Sequence, residues 1–146
     1  MDNILNMVGL ALRAGRLEVG EEPVGAACRA RDCRLILTAR DAADPTLRRV
    51  RHFADAGQCL WISTPYSKEE LGAAVGRTVC AMAAVTDIGF AEAIARKLAA
   101  AEPEKYAQTA QQLSVKAQRA AQRRKERQAH EKNLRCGKKK RPPAKK

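Results

Sequence analysis

The sequence is poor in the residues from which most catalytic and metal sites are built. Its 146 residues include two histidines, His52 on a charged helical face and His130 near the C-terminus, neither with an evident carboxylate or thiol partner. There is no phosphate-loop lysine motif, no Gly-x-Gly-x-x-Gly opening a helix, no His-Glu-x-x-His pair and no nucleophile elbow. The chain is therefore expected not to be an enzyme, to use no cofactor and to take no small-molecule substrate. Five cysteines, an odd number with no Cys-x-x-Cys among them, argue against a disulfide framework and a zinc site, and a reducing cytoplasm is the simplest compartment. Cys28 and Cys33 form a C-x4-C pair that can in principle bind metal. A buried Cys28, with Cys33 ahead of a strand, is the plainer reading, so no metal site is assigned. Cys59 and Cys80 lie in apolar runs and read as small buried hydrophobes.

Aromatic residues are equally scarce. Trp61, Phe53, Phe90, Tyr66 and Tyr106 are all there are, and the first three fall at core positions, which leaves too few for a single-strand binder built on base stacking. No apolar run approaches the ~20 residues needed to span a bilayer. The first residues do not form a secretory signal pattern, and the basic C-terminal region lacks the bulky apolar face of an interfacial helix. A membrane is not an expected partner.

What the sequence does have is segregated positive charge. The chain carries 28 Lys and Arg against 16 Asp and Glu, a formal net charge of +12. Residues 1–100 are nearly balanced, with 13 basic and 12 acidic side chains, whereas residues 101–146 hold 15 basic and 4 acidic ones. A one-signed field of this kind attracts polyanions over roughly 8–10 Å at physiological salt, and nucleic acid is the commonest of these.

Hydrophobic periodicity places the elements. Met1 to Ala14 reads as a helix with Ile4, Val8 and Leu12 in one stripe, stopped by Gly15. Leu17–Val19 is a short strand. A second helix begins at Glu21 or Glu22, with an acidic pair and Pro23 in its first turn, and runs to about Arg31. Strands are expected at 34–39, 58–63 and 79–86. Between them lie a helix capped by Asp44 with Pro45 behind it, and a short helix opened by a Ser67–Glu70 capping box. Asp87 caps a last helix with Phe90, Ile94 and Leu98 inward. Alternating strands and helices imply an α/β fold: a single three-layer α/β/α sandwich with a mixed sheet over residues 1–100. Residues 101–146 read as a basic tail, helical to about residue 135 and disordered beyond. Within it Lys116, Arg119, Arg123 and Arg127 share one helical face, where their mutual repulsion can be relieved by RNA phosphates.

Five blocks, Gly9–Leu17, Gly20–Glu22, Arg34–Asp41, Glu70–Gly76 and Val85–Ala91, together resemble the L-seven-Ae/L-thirty-e ribosomal protein superfamily, and most closely its short bacterial L-seven-Ae-like members. The resemblance covers about two-thirds of the chain. It implies the α/β/α sandwich and binding of structured RNA, either a kink-turn or a segment of rRNA, in association with the ribosome. It also implies a contact set: Gly20, Glu21 and Glu22 at the start of the second helix, Arg40 and Asp41 after a strand, and Gly76, Arg77 and Thr78 before the last strand. Arg16 and Arg34 would add backbone contacts, and the tail face of Lys116, Arg119, Arg123 and Arg127 sequence-independent phosphate contacts. The kink-turn binders of the family carry Asn-Glu followed one turn later by Lys, where this chain has Glu22-Pro23 and then Ala26. The alternative is a protein-interaction adaptor of the translation machinery whose core no longer reads RNA.

Overall fold

The computed structural model describes the backbone of residues 3–140 and the side chains of residues 3–135. The described residues form six helices and four strands, alternating as far as α5: α1 (Asn3–Arg13), β1 (Leu17–Val19), α2 (Glu21–Arg29), β2 (Leu35–Thr38), α3 (Asp44–Gly57), β3 (Leu60–Ser63), α4 (Lys68–Ala74), β4 (Met82–Val85), α5 (Ile88–Ala101) and α6 (Pro103–Lys140). The sheet order is β1-β4-β2-β3. β4 runs antiparallel to both β1 and β2, and β2 pairs with β3 in parallel. The sheet is mixed.

The two sheet faces separate cleanly because adjacent strand residues point to opposite sides. Leu35, Leu37, Ala83 and Val85 face a large core shared with Val8 of α1, Leu71 of α4 and Ile94 and Leu98 of α5. Ile36, Met82 and Ala84 face a smaller core with Val24 and Cys28 of α2 and Val50 and Ala54 of α3. Helices therefore cover both faces, which makes the three-layer α/β/α sandwich. Local signals hold at α4, where the Ser67 hydroxyl accepts from Glu70 N and the Glu70 carboxylate accepts from Ser67 N. They also hold at α5, where Asp87 accepts from Phe90 N.

Several expectations change. Asp44 is the first residue of α3 and not its cap; Ala43 holds that place with no side-chain cap bond. Val79 is not in a strand and is half-exposed in the α4–β4 connection, because the antiparallel register with β2 begins only at Met82. Phe90 lies at the edge of the buried stripe, which Ala91 and Ala95 complete instead.

The largest difference concerns residue 100. The chain does not leave the globule there: Tyr106 and Leu113 of α6 are fully buried in the larger core, and α6 packs along α5 and against β3. Beyond Ala120 every described side chain is exposed, so the helix becomes a solvated arm. At 1.5 Å per residue, positions 121–140 reach about 30 Å. The helix passes residue 135 and continues to Lys140. The expectation of disorder from there on lies outside the described residues from position 141, as do Met1 and Asp2 at the start of the first helix. No helix among the described residues is long and apolar enough to cross a membrane.

Candidate functional site

Sheet register decides which of the expected site residues can meet. Val19 pairs with Ala83 and Thr38 with Met82, so Gly20, Arg40 and the residues before β4 share one end of the sheet. Leu17 and Leu35 both pair with Val85, which puts Arg16 and Arg34 at the opposite end. Six residues of extended chain separate Arg34 from Arg40, roughly 20 Å. The residues expected to act together form two groups.

At the first end, Gly20 precedes α2 with φ 101°, a conformation open to glycine and rarely to other residues. Its N–H donates to Met82 O at 3.2 Å, which ties the start of α2 to β4. Gly20 provides no side-chain cap, so the first turn of α2 presents backbone N–H groups outward, with Glu21 and Glu22 beside them. A β-carbon on Gly20 would lie 3.8 Å from Arg77 Nη1. Gly76, at φ 74°, makes the turn that brings Arg77 and Thr78 to this position. Gly72 keeps that loop close, since a β-carbon there would come 2.7 Å from Arg77 O. Arg77, Thr78 and Val79 are all exposed.

Three of the expected contact residues are occupied within the protein. Glu21 pairs with Arg49 of α3. Arg40 donates to Pro65 O at 2.7 Å and to Glu70 Oε1 at 3.1 Å, and Asp41 accepts from Lys68 N at 2.9 Å. Arg40 and Asp41 thus anchor the N-terminus of α4. The Ser67 amide, aided by Arg40, holds the Glu70 carboxyl below its ordinary pKa. Gly20, Glu22, Arg77 and Thr78, with the apolar Val79, remain as the groups facing outward. Sequence reading missed Val79 because its run of apolar neighbours looked like a strand.

At the second end, Arg16 and Arg34 line an open cleft of about 560 Å³ together with Glu18, Asp32 and Thr86. Arg34 also lines a neighbouring cleft of about 310 Å³ with Lys116, Arg119 and Arg123 of α6. The packing of Tyr106 and Leu113 is what brings the basic face of α6 to this edge. Arg127 continues that face one turn along the exposed arm. The result is a cluster of four cations, Arg34 from the sheet edge and Lys116, Arg119 and Arg123 from the helix, around one cleft. None of the five aromatic side chains stands free: Tyr66 and Tyr106 are buried, and Phe53, Trp61 and Phe90 are partly buried.

Fold and site together define a class: a small α/β/α sandwich with a glycine-shaped loop end and a basic helix docked at the other. No family model matches the chain. The chain is 34% identical over 89 residues to RNA-binding protein YlxQ of Bacillus subtilis (strain 168), covering 58% of this chain and 84% of that protein. Among solved structures it is similar to a protein of unknown function from Bacillus halodurans C, with 27% identity and a TM-score of 0.60 over 66% of this chain and 96% of that one. The chain belongs to the L-seven-Ae-like family that includes YlxQ.

Proposed function

We propose that this protein is a non-enzymatic cytoplasmic RNA-binding protein, ribosomal-protein-like, that uses two surfaces on one structured RNA. The observation that carries the reading is the cleft in which Arg34 of the core meets Lys116, Arg119 and Arg123 of α6. A cationic surface spanning core and arm suits a polyanion with a regular backbone, and the scarcity of free aromatics favours backbone and shape recognition over base stacking. The name of its relative YlxQ supports RNA as the partner class.

In this reading the loop end discriminates between RNAs. The first-turn amides of α2 accept an anionic or carbonyl oxygen, Glu22 accepts a base N–H, Arg77 donates to phosphate or base, and Val79 offers an apolar contact. A kink-turn within rRNA is the proposed target, with the ribosome as the setting. Ala26, exposed one turn into α2, provides no cation there, so Arg77 takes the part of the missing clamp. Binding to a kink-turn RNA and to a plain duplex, each titrated with salt, tests the reading. Preference for the kink-turn that disappears in Arg77→Gln supports it; equal affinity for both RNAs in the parent chain overturns the loop end as a reader.

The internal pairing of Glu21 with Arg49 and of Arg40 with Glu70 favours a second reading, a protein-interaction adaptor of the translation machinery. It requires a complex with a protein that survives nuclease treatment.

A further inference from the structure

Three cysteines from separate parts of the chain meet beside the second end of the sheet. Cys28 lies in the last turn of α2, Cys33 in the link to β2 and Cys59 just ahead of β3. Their Sγ atoms all lie within 4.8 Å of one another. Cys28 and Cys33 are buried, whereas Cys59 is partly exposed and opens the cluster to solutes. Sequence spacing showed only the Cys28–Cys33 pair; the third thiol arrives because β3 pairs in parallel with β2, Leu60 beside Leu35, and α3 packs on α2.

The backbone around the cluster is tightly constrained. A β-carbon on Gly57 would come within 3.0–3.1 Å of the O and Cα atoms of Cys28, so α3 approaches α2 as closely as glycine permits. Among the described residues, the non-glycine residues with positive φ are Arg31 at 60° and Gln58 at 52°. One lies between Cys28 and Cys33, and the other immediately precedes Cys59. Left-handed φ is uncommon for residues with a side chain, yet both turns that aim thiols at the cluster adopt it.

Small apolar filling is the bland role for buried thiols, and the contact with Val24, Ile36 and Val50 agrees with it. It does not account for three sulfurs converging on one point with cations alongside. Lys116 lies close enough to act on the Cys59 sulfur. Arg29 lies close enough to act on Cys28 as Lys116 acts on Cys59.

We propose that Cys28, Cys33 and Cys59 form a three-thiolate site for a thiophilic d10 metal ion, zinc(II) or copper(I). An all-sulfur donor set selects soft ions over magnesium or calcium. Metal–sulfur bonds of about 2.3 Å place sulfurs about 3.8 Å apart in a tetrahedron, so the cluster closes by about 1 Å at most on loading. Each thiol releases its proton to water as its sulfur–metal bond forms. Zinc would complete its shell with water through the open side at Cys59, whereas copper(I) is satisfied by three sulfurs. Arg29 and Lys116 offset the excess negative charge of three thiolates. Loading joins α2, the α2–β2 link and the start of β3 at the edge where α6 docks.

The test uses the reduced full-length chain carrying Cys136→Ala, titrated with Cd²⁺ as a spectroscopic probe and with Zn²⁺ in a thermal melt. One Cd²⁺ per chain with a sulfur-to-metal charge-transfer band is expected, and Zn²⁺ should raise Tm. Cys28→Ser, Cys33→Ser and Cys59→Ser should each lose one thiolate's share of the band, and Cys80→Ser none of it. Cys59 is the least buried of the three, so Cys59→Ser is the variant most tolerant of folding. Absence of a saturable band together with an unmoved Tm in the parent chain overturns the proposal without reference to any variant. So does a band in Cys59→Ser equal to that of the parent.

Discussion

Tyr106, in the first turn of α6, donates its phenolic hydrogen to the carbonyl oxygen of Ser63 at the end of β3, at 2.6 Å. The partly buried bond crosses from helix to sheet, and with Leu113 it fixes the direction in which the basic arm leaves the core. Tyr106→Phe should lower stability by about 1 kcal/mol, the usual net value of one hydrogen bond. Tyr106→Ala should cost about 3–5 kcal/mol by opening a cavity. Urea unfolding of the two variants checks both.

The same residue makes a pH prediction. Burial, with Glu102 nearby, pushes the Tyr106 phenol from its ordinary 10.0 up to about 12. A raised pKa of this kind favours the folded state fully below pH 10, and the benefit is lost as pH rises toward 12. The stability difference between parent and Tyr106→Phe should therefore be constant below pH 10 and shrink above it. Other shifted groups are common to both proteins and cancel.

At α4, Ser67→Ala should cost about 1 kcal/mol, since it exposes a first-turn amide otherwise capped by the hydroxyl. The Glu70 carboxyl is held below its ordinary value by the Ser67 amide and then by Arg40. Its contribution is present above the ordinary glutamate pKa and lost as pH falls through the depressed one. Amide exchange across Lys68–Ala74 should accelerate in acid sooner than exchange in α5.

Arg40 and Arg77 both belong to the loop end, but only one is committed inside the protein. Arg40→Gln should reduce stability by about 1 kcal/mol or less, as befits an exposed pair, and leave the choice between RNAs unchanged. Arg77→Gln should leave stability unchanged and narrow the affinity ratio between kink-turn and duplex. Equal losses of discrimination in both variants would count against this division.

Short-range chemistry made much of this legible from sequence. The Ser67–Glu70 box, the Asp87 cap and the Gly15 stop act within one helical turn, so their signals sit next to what they control. Properties set by the sheet were hidden. Arg16 and Arg34 look like partners of Gly20 and Arg40 along the chain, yet the β1-β4-β2-β3 order puts them at the other end. Tyr106 and Leu113 are isolated apolar residues in a charged segment, too sparse for a periodic stripe, and their burial depends on the groove beside α5. Cys59 becomes a neighbour of Cys33 only through the parallel pairing of β2 with β3, in which Leu35 meets Leu60.

In the proposed reading the loop end discriminates between RNAs while Arg34 and the α6 face supply phosphate contacts. Its most direct test is a salt titration of binding to a kink-turn RNA and a plain duplex, comparing the parent chain with a Lys116, Arg119, Arg123 and Arg127 to Gln variant. The expected result is a shallower log–log slope in the variant, by about 0.7–0.9 for each phosphate contact removed, with the kink-turn preference retained. An unchanged slope, or a preference that vanishes together with the four charges, would contradict the account.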